Sequence, residues 1–422
     1  MKFSIVTFGC RVNQADSLQL DQQLRMRGGQ PTAPEHADLV IVNTCSVTAA
    51  ADQGARQTIR RLSRQNPSVK IVATGCYATR RPQDLAQLPN VVRVVTNDAK
   101  LDFLTTPAAG DEPTTAQRFA GAEGVCGAPI EPGMTGRTAF TLRVQTGCDQ
   151  RCAYCIIPAT RGRGRSLPIE LVVPEVRRIA GSGFKEIAIT GVHLGSYGRD
   201  LESPCSLLDL LRALDDVRAD VTFRVSSLEP MDCSREIVHL IASSGGRFAP
   251  HFHLPLQHSS NRMLAAMRRP YTLSQYRALV EEIAVRLPHA SIGSDMIAGF
   301  PGEQIEDVAE NLAYLPQSPL THLHVFPYSD RDGTEASRMG GKADGPTTRS
   351  RGAELRAVGA SLTRRFHDRQ RGTVRPGLTL EDGTLVVTDN YLKVRIPRGL
   401  SRNERVHVRL LSATEGVPVQ SF

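Results

Sequence analysis

Short apolar runs at residues 5–8, 39–42, 71–73 and 91–95 are separated by stretches, near 17–26 and 49–63, that read as helices. Strand and helix in alternation predict a parallel, doubly wound sheet. Residues 105–136 are rich in Pro, Gly, Ala, Thr and Glu and lack periodicity, as a linker or long surface loop does. A second alternating series follows. Its strands are expected at 139–144, 186–190, 221–225, 251–256, 291–297 and 322–326, with helices at 171–180, 207–214, 235–241, 273–285 and 305–312. Six β/α units in a row predict a full or partial barrel with functional residues at the C-terminal ends of the strands. A helix is expected at 353–369, and the pattern then changes. Leu392, Val394 and Ile396 alternate with Lys393 and Arg395, and Val406, Val408 and Leu410 alternate with Arg405, His407 and Arg409. Period-2 alternation with one basic face predicts a small antiparallel β domain. Small β-barrels of this size often bind nucleic acid. The expected divisions are 1–104, 105–136, 137–363 and 364–422.

Composition narrows the class. With 40% hydrophobic and 22% charged residues over 422 positions, the chain is globular rather than disordered. No apolar run approaches the roughly 18 residues a membrane span needs. The N-terminus lacks the apolar core of a signal peptide, so a cytoplasmic protein is expected. Nine cysteines in such a chain point to metal or redox chemistry rather than disulfides. The net charge is +8, and residues 137–165 and 364–422 each carry a local excess of five positive charges. Localised basic surface fits a polyanionic partner, nucleic acid first; a solvated Arg-rich face is the alternative.

Cys148-x-x-x-Cys152-x-x-Cys155 stands directly after the first expected barrel strand. Three thiolates in one short loop can hold three irons of a cubane cluster and leave the fourth open to a ligand that is not protein. A closed zinc site would need four protein ligands, and no fourth cysteine follows nearby. Cys10, Cys45 and Cys76 are far apart in the chain, yet each lies just past an expected strand. Parallel neighbours would project all three from one sheet edge, where doubly wound sheets place their ligands. Gly9 and Gly75 precede two of them and allow close backbone approach to a bulky cofactor. Small residues that merely end strands are the competing reading.

The CxxxCxxC loop resembles the signature of the radical S-adenosylmethionine enzymes. That resemblance implies a partial barrel whose open iron binds the amino and carboxylate groups of S-adenosylmethionine and whose electron yields a 5′-deoxyadenosyl radical. Three further stretches, Gly9-Cys10-Arg11-Val12-Asn13-Gln14-Ala15-Asp16-Ser17, Asn43-Thr44-Cys45-Ser46-Val47-Thr48 and Thr74-Gly75-Cys76-Tyr77-Ala78, look like the motifs of the methylthiotransferase N-terminal domain. Residues 364–422 are similar to that family's TRAM domain, a small RNA-binding β-barrel. The resemblance implies two 4Fe–4S clusters, one on Cys148, Cys152 and Cys155 and one on Cys10, Cys45 and Cys76, the second serving sulfur insertion. It further implies S-adenosylmethionine as cofactor and tRNA as partner. An external electron donor such as flavodoxin or ferredoxin is expected, and no membrane; the sequence is silent on oligomeric state, a monomer being the expectation. Cys126, Cys205 and Cys233 match no motif and read as structural or incidental.

Family branches act on isopentenyladenosine in tRNA, on threonylcarbamoyladenosine in tRNA, or on an aspartate of a ribosomal protein. Gly9-Cys10-Arg11-Val12-Asn13-Gln14 and Thr190-Gly191-Val192-His193-Leu194-Gly195-Ser196-Tyr197-Gly198 look like the threonylcarbamoyladenosine branch. The second loop is expected either to face substrate or to shape the cofactor pocket. By the same resemblance, Gly191, Ser227, Glu229, Gln257, Asp295 and Ile297 would contact S-adenosylmethionine. Arg161, Arg163 and Arg165 would bind tRNA phosphate or the cofactor carboxylate, or form an ordinary exposed basic loop.

Overall fold

The computed structural model describes residues 1–100, 130–133 and 136–419. Most of the expected linker, with Cys126, lies outside them.

The N-terminal sheet consists of β1 (Lys2–Thr7), β2 (Gln30–Pro31), β3 (Leu39–Thr44), β4 (Lys70–Gly75) and β5 (Val91–Val95). All pairings are parallel, in the order β2-β1-β3-β4-β5. Successive residues of β3 show why it is doubly wound. Val40 and Val42 pack with Ala55, Ile59 and Leu62 of the helix Ala49–Gln65, whereas Ile41 packs with Leu20 and Leu24 of the helix Arg11–Met26. A strand buried on both faces reads as a continuous apolar run, which is how the sequence shows it. The first helix starts at Arg11, earlier than its apolar spacing implied, because Arg11, Asn13 and Gln14 carry polar side chains in its first turn.

The barrel strands are β6 (Phe140–Arg143), β9 (Glu186–Thr190), β10 (Thr222–Val225), β11 (His251–His253), β12 (Ser291–Ala298) and β13 (His322–Pro327). They form two three-stranded parallel sheets, β6-β9-β10 and β11-β12-β13. A Phe223–Phe248 bridge and the Leu228 N–H donating to the His253 carbonyl at 2.9 Å join the two. Among the described residues β6 and β13 do not pair, so the barrel is partial and open on that side. Strand β11 ends at His253, short of the expected 256, because the following Leu254-Pro255-Leu256 leaves the ladder at a proline that has no N–H to give. Between β6 and β9, a small antiparallel pair, β7 (Gln145–Thr146) with β8 (Arg165–Ser166), pins the base of the cysteine loop.

The C-terminal strands are β14 (Val374–Leu380), β15 (Leu385–Thr388), β16 (Lys393–Arg395), β17 (Arg405–Leu410) and β18 (Gly416–Val419). They make an antiparallel sheet in the order β16-β15-β14-β17-β18. An Arg395–Glu415 bridge brings its edges together, so the sheet is a half-barrel drawn toward closure. Val394, Val408 and Leu410 are buried while Lys393, Arg395 and Arg409 are exposed, as the alternation predicts. Arg405 departs from that basic face: it donates to Asp220 at 2.7 Å and to Thr222 at 3.1 Å, docking the domain on the barrel. The helix Gly345–Gln370 runs from the barrel into this domain, where Phe366 joins the core, so the division expected at 363/364 falls inside a continuous helix. Among the described residues no helix is long and apolar enough to cross a membrane.

Candidate active site

Order 2-1-3-4-5 places its topological switch between β1 and β3, the crevice where such sheets hold ligands. Cys10 follows β1, Cys45 follows β3 and Cys76 follows β4. Two glycines make the approach close. A Cβ on Gly9 would lie 2.8 Å from the Cys45 Sγ, and one on Gly75 would lie 2.2 Å from the Thr44 carbonyl oxygen. Both have positive φ, 90° and 97°, which a side chain would resist. Cys45 and Cys76 are buried and Cys10 is exposed; none is in a disulfide. Burial pushes the Cys45 thiol up to about 11. Cys76 goes the other way: burial opposes its thiolate, but Arg161, Lys100 and an Asn97 amide 3.6 Å from Sγ outweigh it. Three adjacent thiols with cationic support fit a thiolate-held cluster.

The second trio lines a cavity of about 550 Å³ at the C-terminal mouth of the barrel, with Arg163, Arg268 and Glu335 on its walls. Cys148 is tied by its N–H to the Gly162 carbonyl at 3.1 Å, and the Cys155 N–H reaches the Cys152 carbonyl at 3.1 Å. Burial pushes the Cys155 thiol up to about 12, so its thiolate would need stabilisation of the kind a bound metal supplies. Arg269 donates to the Cys152 Sγ at 3.1 Å and pairs with Glu229. His193 is 3% exposed. Its Nε2 contacts Asp232 at 2.8 Å, and its buried Nδ1 has no hydrogen-bond partner. Burial opposes protonation, yet Asp232 and the neighbouring Cys148 raise the ring to about 9. A buried, unpartnered N–H beside Cys148 fits a cluster sulfur as acceptor.

The expected cofactor residues divide. Gln257, Asp295 and Ile297 meet: the Gln257 N–H donates to the Asp295 carbonyl at 2.8 Å and the Ile297 N–H to the Gln257 carbonyl at 3.0 Å. Ile297 shares an apolar cluster with Ala153 of the cysteine loop. Glu229 reaches the loop through Arg269. Gly191 sits against Gln145, whose Oε1 accepts from the N–H groups of Val192 and His193, both at 2.9 Å. Ser227 is exposed beyond the end of β10. The 190–198 loop mostly supports the cysteine loop: Leu194, Ser196 and Tyr197 are buried, and His193 alone of the named residues turns to Cys148.

The basic triplet divides as well. Arg163 is exposed, and Arg165 pairs with Asp98 at 3.2 Å. Arg161 is 3% exposed and no phosphate can reach it. It belongs to a buried hub that the sequence did not reveal: Asp16 of the first helix receives Lys100 at 2.8 Å, Arg161 at 3.1 Å and Arg143 of β6. Arg161 also bonds Asn13 and, at 3.3 Å, Thr146. The hub clamps the N-terminal domain across the open side of the barrel. It also brings the helix following Cys155 (Ile157–Arg161) against the helix that begins at Cys76 (Cys76–Arg80). Burial raises the Asp16 pKa, but its three cations override this and hold it well below the ordinary carboxylate range. Its contribution is therefore present above about pH 4 and lost as the pH falls below that. Asp16→Asn strands three buried cations, and a loss of about 3–5 kcal/mol is expected in denaturant unfolding at pH 7. A loss below about 1 kcal/mol would show that the hub contributes nothing net.

Cys205 lies against Gly198, and Cys233 is in the barrel core, its thiol pushed up to about 12 by burial. Neither lines the cysteine loop's cavity.

Two family models match the chain. Residues 2–97 match the uncharacterized protein family UPF0004 and residues 142–315 the radical SAM superfamily. The chain is 36% identical to the threonylcarbamoyladenosine tRNA methylthiotransferase MtaB of Aquifex aeolicus, over 94% of this chain and 96% of that one. It is 33% identical to the ribosomal protein uS12 methylthiotransferase RimO of Salinispora tropica, over 91% and 85%. It is 32% identical to the tRNA-2-methylthio-N(6)-dimethylallyladenosine synthase of Alkaliphilus oremlandii, over 84% and 77%. Among solved structures, the radical S-adenosylmethionine methyltransferase TsrM of Kitasatospora setae, with cobalamin and a [4Fe-4S] cluster bound, superposes with a TM-score of 0.53. That match has 17% identity and covers 77% of this chain and 74% of that one.

Proposed function

The chain belongs to the radical S-adenosylmethionine methylthiotransferases, and on that premise we propose that it methylthiolates C2 of N6-threonylcarbamoyladenosine beside the tRNA anticodon. The family's cofactors are two 4Fe–4S clusters and S-adenosylmethionine. Cys148, Cys152 and Cys155 would hold the cluster that meets S-adenosylmethionine, and Cys10, Cys45 and Cys76 the other. Bound there, these groups supply abstraction of hydrogen from an unreactive C–H, a sulfur atom and a methyl group. Adenine C2–H has no useful acidity, so no side chain here serves as a base for it.

The protein's own residues orient and enclose. Arg269 supplies an N–H to the sulfur of Cys152, and the unpartnered Nδ1 of His193, beside Cys148, would supply one to the cluster sulfur there. Such donors stabilise thiolate charge in a site where burial alone would oppose it. The Asp16 hub fixes the sheet edge carrying one thiol trio against the helix that leaves the other. Lys393, Arg395 and Arg409 present exposed basic side chains for the backbone of a tRNA. The loop bases of an anticodon are weakly stacked and are the ones such an enzyme can draw out.

The observation that carries the choice of substrate is the full-length likeness to the Aquifex aeolicus protein, whose name states threonylcarbamoyladenosine. The likeness to the Salinispora tropica protein keeps a ribosomal-protein side chain as the second reading. Mass spectrometry of tRNA nucleosides from cells with and without the gene separates the two. Loss of 2-methylthio-threonylcarbamoyladenosine alone is expected. An unchanged tRNA profile beside an unmodified ribosomal-protein aspartate would overturn the proposal.

A further inference from the structure

Below the cysteine loop the barrel lumen is polar. On β12, Asp295 lies two residues below Ile297, the residue clustered with the loop, so the two share one face. Across the strand, Asp295 is paired with His324 of β13. The Asp295 Oδ1 takes His253 Nε2 at 2.9 Å and His324 Nδ1 at 3.3 Å. His324 leaves 57% of its side chain exposed, against 13% for His253 and 23% for Asp295. Phe326, two residues along on the same face of β13, is 42% exposed. The opposite face of β13 is packed, with Leu323 against Gly359 of the helix Gly345–Gln370. His324 and Phe326 thus stand at the free edge of the partial barrel, beside the gap between β13 and β6.

We propose that His324 reads the N6 substituent of the substrate adenosine: held at Nδ1 by Asp295, its Nε2–H donates to the substituent's carboxylate while Phe326 provides an apolar wall for the base. This rests on the substrate named above, whose threonyl group ends in a free carboxylate that an isopentenyl group lacks. Other cationic candidates in the lumen are already committed or uncharged. Arg224 is buried and bonded to Glu186 and to the carbonyl of Asp389. His251, its ring tilted against Tyr391 at 4.6 Å, is kept neutral by burial and by Arg224 and Arg11. Burial, with His253 and His324, brings His322 down to about 4. His253 spends its Nε2 on Asp295 and is largely covered. Arg11 of the first helix reaches the same end of the lumen but is engaged with Tyr391, donating to its hydroxyl at 3.3 Å. Among the described histidines there, His324 alone is both exposed and favoured in its charged form, through the contact to Asp295. A carboxylate fixed on one edge of an imidazole aims the opposite N–H outward, and a charged donor–acceptor pair there is stronger than a neutral one.

The test uses the reconstituted enzyme with two anticodon stem–loop RNAs, one bearing threonylcarbamoyladenosine and one bearing its methyl ester. Wild type is expected to prefer the acid. His324→Gln is expected to raise KM for the acid by about tenfold or more, the loss of one charge-assisted hydrogen bond, while KM for the ester moves less than about twofold. His324→Arg, which keeps a cation, is expected to recover part of the preference. Iron content and visible absorption of the same samples show whether the clusters are intact. An equal loss on both RNAs, or no preference in wild type, would overturn the assignment. So would a stoichiometric metal beyond the clusters that His324→Gln removes, because His253, Asp295 and His324 are close enough to share a cation. If wild type turns over neither RNA yet modifies an isopentenyladenosine RNA or a ribosomal-protein peptide, the substrate reading itself has failed, a result distinct from loss of the acid–ester preference alone.

Discussion

Alanine at Cys148, Cys152 or Cys155, one at a time, is expected to abolish 5′-deoxyadenosine formation in an anaerobic, reductant-driven assay. A cubane left with two thiolates neither keeps its geometry nor presents a single open iron. Among the described residues, neither of the two cysteines outside the trios offers a replacement ligand. Cys233 is locked in the barrel core and Cys205 lies against Gly198, so neither thiol can reach the cavity. The loop itself cannot shift, because the β7–β8 pair and the Cys148–Gly162 backbone bond hold both of its ends. Cys205→Ala and Cys233→Ala should keep activity, the second with some loss of stability from its buried position. Normal 5′-deoxyadenosine production by Cys152→Ala would sink the assignment of the loop.

The sequence revealed those elements whose burial is one-dimensional. Strand β9 was legible to the residue, because Glu186–Thr190 is buried along its whole length between the helices that flank it. The C-terminal alternation was legible because one face of each strand is core and the other is open. The cysteine loop was legible because its ligand spacing is local. Residues whose role depends on a partner far away in the chain were hidden. Asp16 looked like one more polar residue of a motif until the fold brought Lys100, Arg143 and Arg161 to it from 84, 127 and 145 residues away. Arg161 read as an exposed cation because charge predicts solvent, and pairing overrode that expectation; Arg405 stays exposed but is spent on Asp220 of the barrel rather than left on the free basic face. His324 carried no sequence signal beyond its place at a strand. Its meaning comes from the register that sets it beside Asp295.

Replacing Cys10, Cys45 and Cys76 together by alanine is expected to halve the iron of the reconstituted protein, from about eight to about four per chain, while cleavage of S-adenosylmethionine continues and methylthiolated product disappears. The separation follows from how the two thiol trios are supported. The N-terminal trio hangs from the ends of β1, β3 and β4, whereas the barrel trio hangs from the loop after β7. They are joined by the Asp16 hub, by Asn97 donating to the Thr160 carbonyl at 2.8 Å and by the buried Arg331–Asp52 pair at 2.7 Å, all of which hold partners other than the thiols. Arg161 keeps Asp16, Asn13 and Thr146 as partners when Cys76 loses its sulfur, so the N-terminal domain stays clamped over the barrel. The variant therefore distinguishes a sulfur-supplying centre from a structural one. Unchanged iron would mean that the three thiols hold no cluster. Iron halved with S-adenosylmethionine cleavage also lost would mean that the N-terminal centre is needed for the barrel to work at all. Iron halved with cleavage intact and unmodified RNA recovered assigns sulfur insertion to the edge of the N-terminal sheet.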